Sequence, residues 1–450
     1  MRLRLLRHPL GDGFDPRTLV SSLYPEGDVF WLDSGPGGRA FLGTGKRVIA
    51  PTGEVLATLR AELAVLRTGE PLGAVPLGLV GWLGYELRGE TVGMPVAERG
   101  PHPDAAFLRV DRLVAVEGDG SASLLALGTA WDGELAAWRD RTAEVVEERR
   151  EAPRLETTAA AGLRGSRHTA LGAALDQRGV HWHDTPERYL ANIAACRDAI
   201  REGEAYQLCL TTEARVAGAF DALEVFDAVR ASSATHHGGL IRIGGTTLVS
   251  ASPERFLEVT PDGVVRTSPI KGTRPRGAEP AEDARLRAEL VESEKERAEN
   301  LMIVDLMRND LSRVCETGSV AVTRLLEVES YAHVHQLVST IEGRLRDGLG
   351  AVDAIAACFP AGSMTGAPKR RAMEVLEQLE ARPRGPYAGA FGYLAADGSA
   401  DLAMTIRTIV LDAEGASVGA GGGITALSEP AAELAEARLK AAALLAALGA

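Results

Sequence analysis

Cysteine is scarce in this chain: among 450 residues there are four, Cys196, Cys209, Cys315 and Cys358, widely spaced. No two form a CxxC pair and none clusters with histidine as zinc requires, so neither a disulfide framework nor a zinc site organises the fold. Reduced core thiols in a reducing cytoplasm fit that usage. Long apolar runs are missing too. No stretch reaches the roughly 18 residues of a membrane span. The opening MRLRLLRHPLGDG carries a signal peptide's positive charge but meets His8, Pro9 and Gly11 before any hydrophobic region of useful length. The expectation is a cytoplasmic protein with no membrane partner. A basic excess is also absent, since 62 acidic against 49 basic residues give a formal net charge of -13. That balance offers nucleic acid nothing to hold, although a local pocket of opposite sign can still take a small anion. There is no repeat of solenoid period. The Rossmann glycine fingerprint is absent, and GSMTGAPK is not a Walker A loop because lysine does not directly follow its second glycine. Nucleotide binding has no support.

What is present is a large core. With 45% hydrophobic residues, and about 150 residues per domain as a prior, the chain suggests two or three domains or one large interlocked unit. Residues 1–150 read as strands and turns, with helical stretches near 54–67 and 133–149. Residues 151–180, rich in Ala, Thr, Gly and Arg, lack periodicity and read as a linker. From 181 to 450 a helix over PERYLANIAACRDAIREGE leads into the strand AYQLCLTT, and strands recur at GLIRIGG, TTLVSAS, RFLEVT and GVVRTSP. One long helical signal then runs from about Glu282 to Cys315, with later helices at 365–381 and 429–448. Strands followed by blocks of helices predict an α+β fold with antiparallel sheets.

Several segments carry chemistry. Glu296 and Glu299 in SEKERAENLMIVDL lie three apart and share a helix face; Glu433, Glu436 and Lys440 in SEPAAELAEARLK repeat the pattern behind Ser428, a plausible N-cap. Such pairs are most often solvated faces, but two of them together suit a hard cation such as Mg2+. Gly421, Gly422 and Gly423 precede that second helix, where unobstructed amides could either receive a carboxylate or form a flexible turn. Arg407, in the apolar run AMTIRTIVL, needs an anionic partner if buried; an ion pair within the protein and a ligand carboxylate would both serve. Lys271 sits in PIKGTRPRG. Alone it reads as a surface cation more often than as a nucleophile, yet Arg274 and Arg276 could depress its pKa, and Glu254 in ASPERFLEV could donate or accept a proton.

Together, ASPERFL, PIKGTRPRG, AENLMIVDLMRNDL, VHQLVSTIEG, GSMTGAPKRRAMEVLEQLE, RGPYAGAFGYL, IRTIVL and AGGGI stand in the order seen in chorismate-utilising enzymes. The chain resembles that family strongly over 185–445, in the branch of aminodeoxychorismate synthase component I, sister of the anthranilate synthase large subunit. VFWLDS and GLVGWLGYELRGE extend the likeness to the N-terminal region. The resemblance implies an anthranilate-synthase-component-I-like fold: antiparallel sheets in an orthogonal sandwich with helices outside. It implies that Glu299 and Glu436, with Glu296 and Glu433 in support, hold Mg2+. It implies that Lys271 is the nucleophile and Glu254 the general acid, and that Gln207, Thr273, Ser363, Thr365, Tyr387, Arg407, Gly422, Gly423 and Lys440 line the chorismate site. Anthranilate synthases carry PIAGT where this chain has PIKGT, so Lys271 points to amination at C4. Isochorismate and salicylate synthases place a water-activating lysine at Gln207, which disfavours water addition at C2. The resemblance further implies ammonia from a separate glutaminase subunit and a downstream aminodeoxychorismate lyase. Gln336 stands where anthranilate synthases have a histidine tied to the later elimination step, with His335 displaced by one. ASSATHHGGL replaces the element of tryptophan-binding relatives, so tryptophan inhibition is not expected. Anthranilate synthase component I is the alternative enzyme reading, and a non-catalytic chorismate-binding subunit the alternative of another class.

Overall fold

In the computed structural model, which describes residues 3–151, 179–233, 235–331 and 334–450, nearly all of the expected linker at 151–180 lies outside the described residues. Among the described residues the strands form two sheets, one of twelve strands and one of ten. Neighbouring strands run antiparallel, and both sheets mix strands from the two ends of the chain. Val29–Asp33 pairs with His237–Ile243 in the larger sheet, and Gly78–Leu83 pairs with Ala390–Ala395 in the smaller.

Period-two alternation explains how these strands pack. Phe30, Ile241 and Leu248 of the larger sheet meet Val80, Trp82, Leu108 and Phe391 of the smaller in one core. Their sequence neighbours point the other way. Trp31, Leu240 and Val249 pack under Phe226 and Leu444 from outer helices, while Leu79, Leu83 and Leu257 pack under Leu59, Ile303 and Met307. Two sheets face to face with helices outside match the α+β expectation.

Two local expectations change. The long helix over 282–315 is two, Pro280–Glu292 and Glu294–Ser312. Ser293 leaves helical geometry at ψ 107 and its hydroxyl accepts from the Glu296 amide, restarting the helix as an N-cap. The helix expected over 365–381 is Lys369–Glu380, beginning only after Pro368.

What positions the site is a corner where paired strands change sheets. The chain leaves the larger sheet after Thr246–Ser252 and enters the smaller as Arg255–Val259; it returns from Ala400–Met404 to Thr408–Leu411. The two crossings are bonded to each other, Met404 N–H to Glu254 carbonyl at 2.9 Å and Ala251 N–H to Arg407 carbonyl at 3.1 Å. Glu254 and Arg407 therefore sit at one corner.

Candidate active site

Lys271 lies on Ile270–Pro275, the strand that borders Val334–Arg344 in the smaller sheet. Ile270 faces Val338 and Thr273 faces Gln336, so Lys271 and Gly272 together oppose one residue, a bulge that re-aims the lysine. Gly272 has φ +83, and a Cβ there would lie 2.6 Å from Leu290 Cδ1 and 3.1 Å from Glu296 Cγ. The glycine thus lets the bulge press against both helices of the broken pair. Arg274 and Arg276 do not crowd the lysine as bare cations. Arg274 lies 3.7 Å from Glu296, and Arg276 forms a bidentate pair with Asp283. Lys271 lies close enough to favour the ionised forms of Glu254, Glu299 and Glu436.

Glu254 is buried, with the Ser363 hydroxyl and the Ile270 amide close enough to favour its ionised form. Burial raises its pKa, against Lys271 and those two groups. Ser363 stands in the short turn Gly362–Met364, while the Thr365 hydroxyl turns back to the carbonyls of Ala361 and Gly362 at 3.3 Å. Thr273 is exposed.

Four carboxylates face one another from two helices, Glu296 and Glu299 on Glu294–Ser312 and Glu433 and Glu436 on Pro430–Ala447. Burial pushes the Glu299 carboxyl up to about 7, and its Oε1 has no hydrogen-bond partner. At Glu436 burial is outweighed by Lys440, whose Nζ lies 2.7 Å away, and the carboxyl falls below its ordinary value. Lys440 also donates to the Gly421 carbonyl at 2.9 Å. Oxygen donors and an orphaned buried carboxylate oxygen fit a hard cation. Among the described residues, however, no three acidic, imidazole or thiol groups are gathered into a finished cage.

Gly422 and Gly423 do not open a helix, as the sequence suggested; they lie within the strand Gly415–Ile424, paired with Leu210 and Cys209 of Gln207–Ala217. The helix starts at Pro430 with Glu429 as N-cap, and Ser428 accepts from the Thr425 amide instead. Side-chain-free positions matter here for space. A Cβ on Gly423 would lie 2.2 Å from Gln207 Nε2, and one on Gly419 would enter the Tyr387 ring at 2.2 Å. Gln207 is 1% exposed, and neither end of its amide has a partner. A buried amide in that state has donor and acceptor capacity that a ligand or an ordered water can take up. Among the described residues the Arg407 guanidinium donates one hydrogen bond, to the Lys440 carbonyl at 3.3 Å, and burial lowers its pKa against the influence of Tyr387 and Glu436. A guanidinium so poorly compensated suits a bound carboxylate. Burial raises the Tyr387 phenol.

Some supporting residues had no part in the sequence reading. Arg384, fully buried, bonds both Glu380 oxygens and the carbonyls of Met364 and Cys209, and lies over the Tyr85 ring at 4.3 Å. It ties the Ser363 turn, the Gln207 strand and the segment leading to Tyr387 into one frame. Asn300, next to Glu299, bonds Leu337 and Ser339. Lys295 lies 3.0 Å from Glu433 and 3.8 Å from Glu299. Its spacing of four from Glu299 was the signal that could have found it. His335 uses both ring nitrogens on Asp283 and Ser330, so the displaced histidine is engaged elsewhere.

Residues 27–446 match the family described as chorismate binding enzyme. The chain belongs to that family. It is 44% identical over 388 residues to aminodeoxychorismate synthase of Streptomyces pristinaespiralis, covering 86% of this chain and 53% of the relative. It is 38% identical over 455 residues to anthranilate synthase component 1 of Streptomyces coelicolor, covering 98% of this chain and 87% of the relative. Among solved structures, anthranilate synthase component I from Streptococcus pneumoniae aligns with a TM-score of 0.70 at 27% identity, covering 98% of this chain and 92% of that one. The chain thus spans about half the length of the first of these relatives. Among the described residues no helix is long and apolar enough to cross a membrane.

Proposed function

We propose that this chain is the chorismate-aminating component of an aminodeoxychorismate synthase, converting chorismate and ammonia to 4-amino-4-deoxychorismate in the cytoplasm. The observation that carries the reading is Lys271, at a bulge in its strand and within electrostatic reach of Glu254, Glu299 and Glu436, at the position where anthranilate synthases carry alanine. The 44% identity to a protein named aminodeoxychorismate synthase supports it.

Arg407 and Tyr387, with amides of the Gly422–Gly423 strand, orient one substrate carboxylate, and Gln207 supplies the buried amide that contacts the ring. Lys271, as the free amine, attacks C2 while the C4 hydroxyl leaves as water with a proton from Glu254, which recovers that proton from the new C4 ammonium after ammonia has added. Glu254 suits that task because burial keeps its proton at higher pH than an ordinary carboxyl would. Ammonia then adds at C4 and the lysine departs, restoring the amine. Glu299 and Glu436, supported by Glu296 and Glu433, would hold Mg2+, and the cation would supply charge neutralisation to the ring carboxylate. A separate glutaminase supplies ammonia, and a lyase removes pyruvate downstream to give p-aminobenzoate on the folate route.

Turnover of chorismate with ammonium and Mg2+, coupled to a lyase, tests this: p-aminobenzoate is expected. The second reading, anthranilate synthase component I, draws on the 38% identity over 98% of the chain. Fluorescent anthranilate formed without a lyase would establish it and overturn the first; absence of any turnover would favour a non-catalytic chorismate-binding subunit.

A further inference from the structure

Lys295 stands inside the acidic cluster. Its Nζ lies 3.0 Å from Glu433 Oε1 and 3.8 Å from Glu299 Oε1, so one ammonium joins the two helices that face each other. The other carboxylates are also on basic partners, Glu296 on Arg274 at 3.7 Å and Glu436 on Lys440 at 2.7 Å. Four acidic groups thus each lie beside a cation of the protein, and among the described residues no three acidic, imidazole or thiol groups are gathered into a finished cage.

We propose that Lys295 is an internal counter-cation that holds the acidic cleft together without metal and that a divalent cation must displace to bind. This rests on the Mg2+ reading above. Without a positive charge, carboxylates brought together from two helices repel one another in a partly buried cleft. Lys295 removes that repulsion. Mg2+ brings twice the charge and inner-sphere oxygen bonds of about 2.1 Å, so it wins the exchange, but its affinity is reduced by the ion pairs it breaks. Lys295 is also the cation free to go. Its side chain is 37% exposed and can carry its ammonium into water, whereas Lys440 is additionally fastened to the Gly421 carbonyl at 2.9 Å.

The test is Mg2+ titration of the full chain by isothermal calorimetry, with thermal unfolding in EDTA and in Mg2+, for wild type, Lys295→Met and Lys295→Arg. Circular dichroism establishes that each is folded, and Lys295→Gln replaces the methionine variant if that one is not. Lys295→Met is expected to bind Mg2+ about three- to tenfold more tightly. It should melt lower than wild type in EDTA and gain more from Mg2+; Lys295→Arg should stay near wild type. Unchanged or weaker Mg2+ binding by Lys295→Met overturns the proposal alone. Absence of Mg2+ binding by both proteins overturns the metal reading, and the proposal with it.

Discussion

The main-chain N–H of Ala251 donates to the carbonyl of Arg407 at 3.1 Å, across the corner where paired strands change sheets. Arg407 itself has φ +50, a left-handed conformation uncommon for a residue with a side chain. The corner thus fixes the backbone of a guanidinium that has little else to hold it, as the proposed role in binding a ligand carboxylate requires.

That arrangement predicts opposite effects of Arg407→Met on binding and on stability. Removing a poorly compensated buried cation should leave the melting temperature of the ligand-free protein unchanged or raise it. The KM for chorismate should rise by roughly thirtyfold or more. Melting curves and steady-state kinetics on the same preparation measure both, and a marked drop in stability with unaltered KM would make Arg407 structural.

Lys271→Ala should lower amination by about a hundredfold or more, the scale of losing a group that acts in the transition state. Intact mass of wild type quenched during turnover should show a substrate adduct, lost in the variant. Full turnover by the variant would remove Lys271 from the chemistry.

Gly272→Ala should destabilise the protein by about 1–3 kcal/mol, because the new methyl group meets Leu290 at 2.6 Å in a left-handed backbone. Turnover should fall with it, since the bulge that directs Lys271 must shift. Chemical denaturation and a lyase-coupled rate give the two numbers.

Glu254 has its carboxyl pKa raised by burial, against the pull of Lys271 and the Ser363 hydroxyl. As a general acid it must be protonated, so activity should decline as pH rises through its folded-state pKa. Ser363→Ala removes a hydroxyl that favours the ionised form, and the declining limb should move to higher pH. The same sign governs stability: a raised carboxyl pKa gives a contribution present below the unfolded value and lost as pH rises through the folded one. Glu254→Gln should flatten that loss in pH-dependent melting. A Ser363→Ala limb displaced to lower pH would contradict the assignment.

Much of the site was legible because its residues sit in short contiguous strings. Helical spacing put Glu296 with Glu299 and Glu433 with Glu436. What escaped depends on contacts between distant segments. Gly422 and Gly423 read as a helix start because a glycine run has no period, and their strand exists through pairing with Cys209 and Leu210. Arg276 read as a neighbour of Lys271 by sequence distance, whereas Asp283 claims it through space. The break at Ser293 was hidden because the charged run around it, 292–297, suits a solvated helix face equally well, and a single side-chain cap decides the matter. Lys295 was passed over as one charge in a charged run.

The interlocked sheets also bear on how the chain must be made. Gly81 finds its partner in Gly392, and Asp33 in Gly238, so strands near the N-terminus leave the ribosome long before the strands that cover them. At roughly 5–20 residues per second the wait for the smaller sheet lasts on the order of 15 to 60 seconds. During it, Leu79, Val80 and Trp82 stand uncovered with their strand edge open, a state prone to aggregation. Synthesis of this fold is therefore a natural task for a chaperone that shields nascent β-strands, and soluble yield should depend more on elongation speed than on final stability.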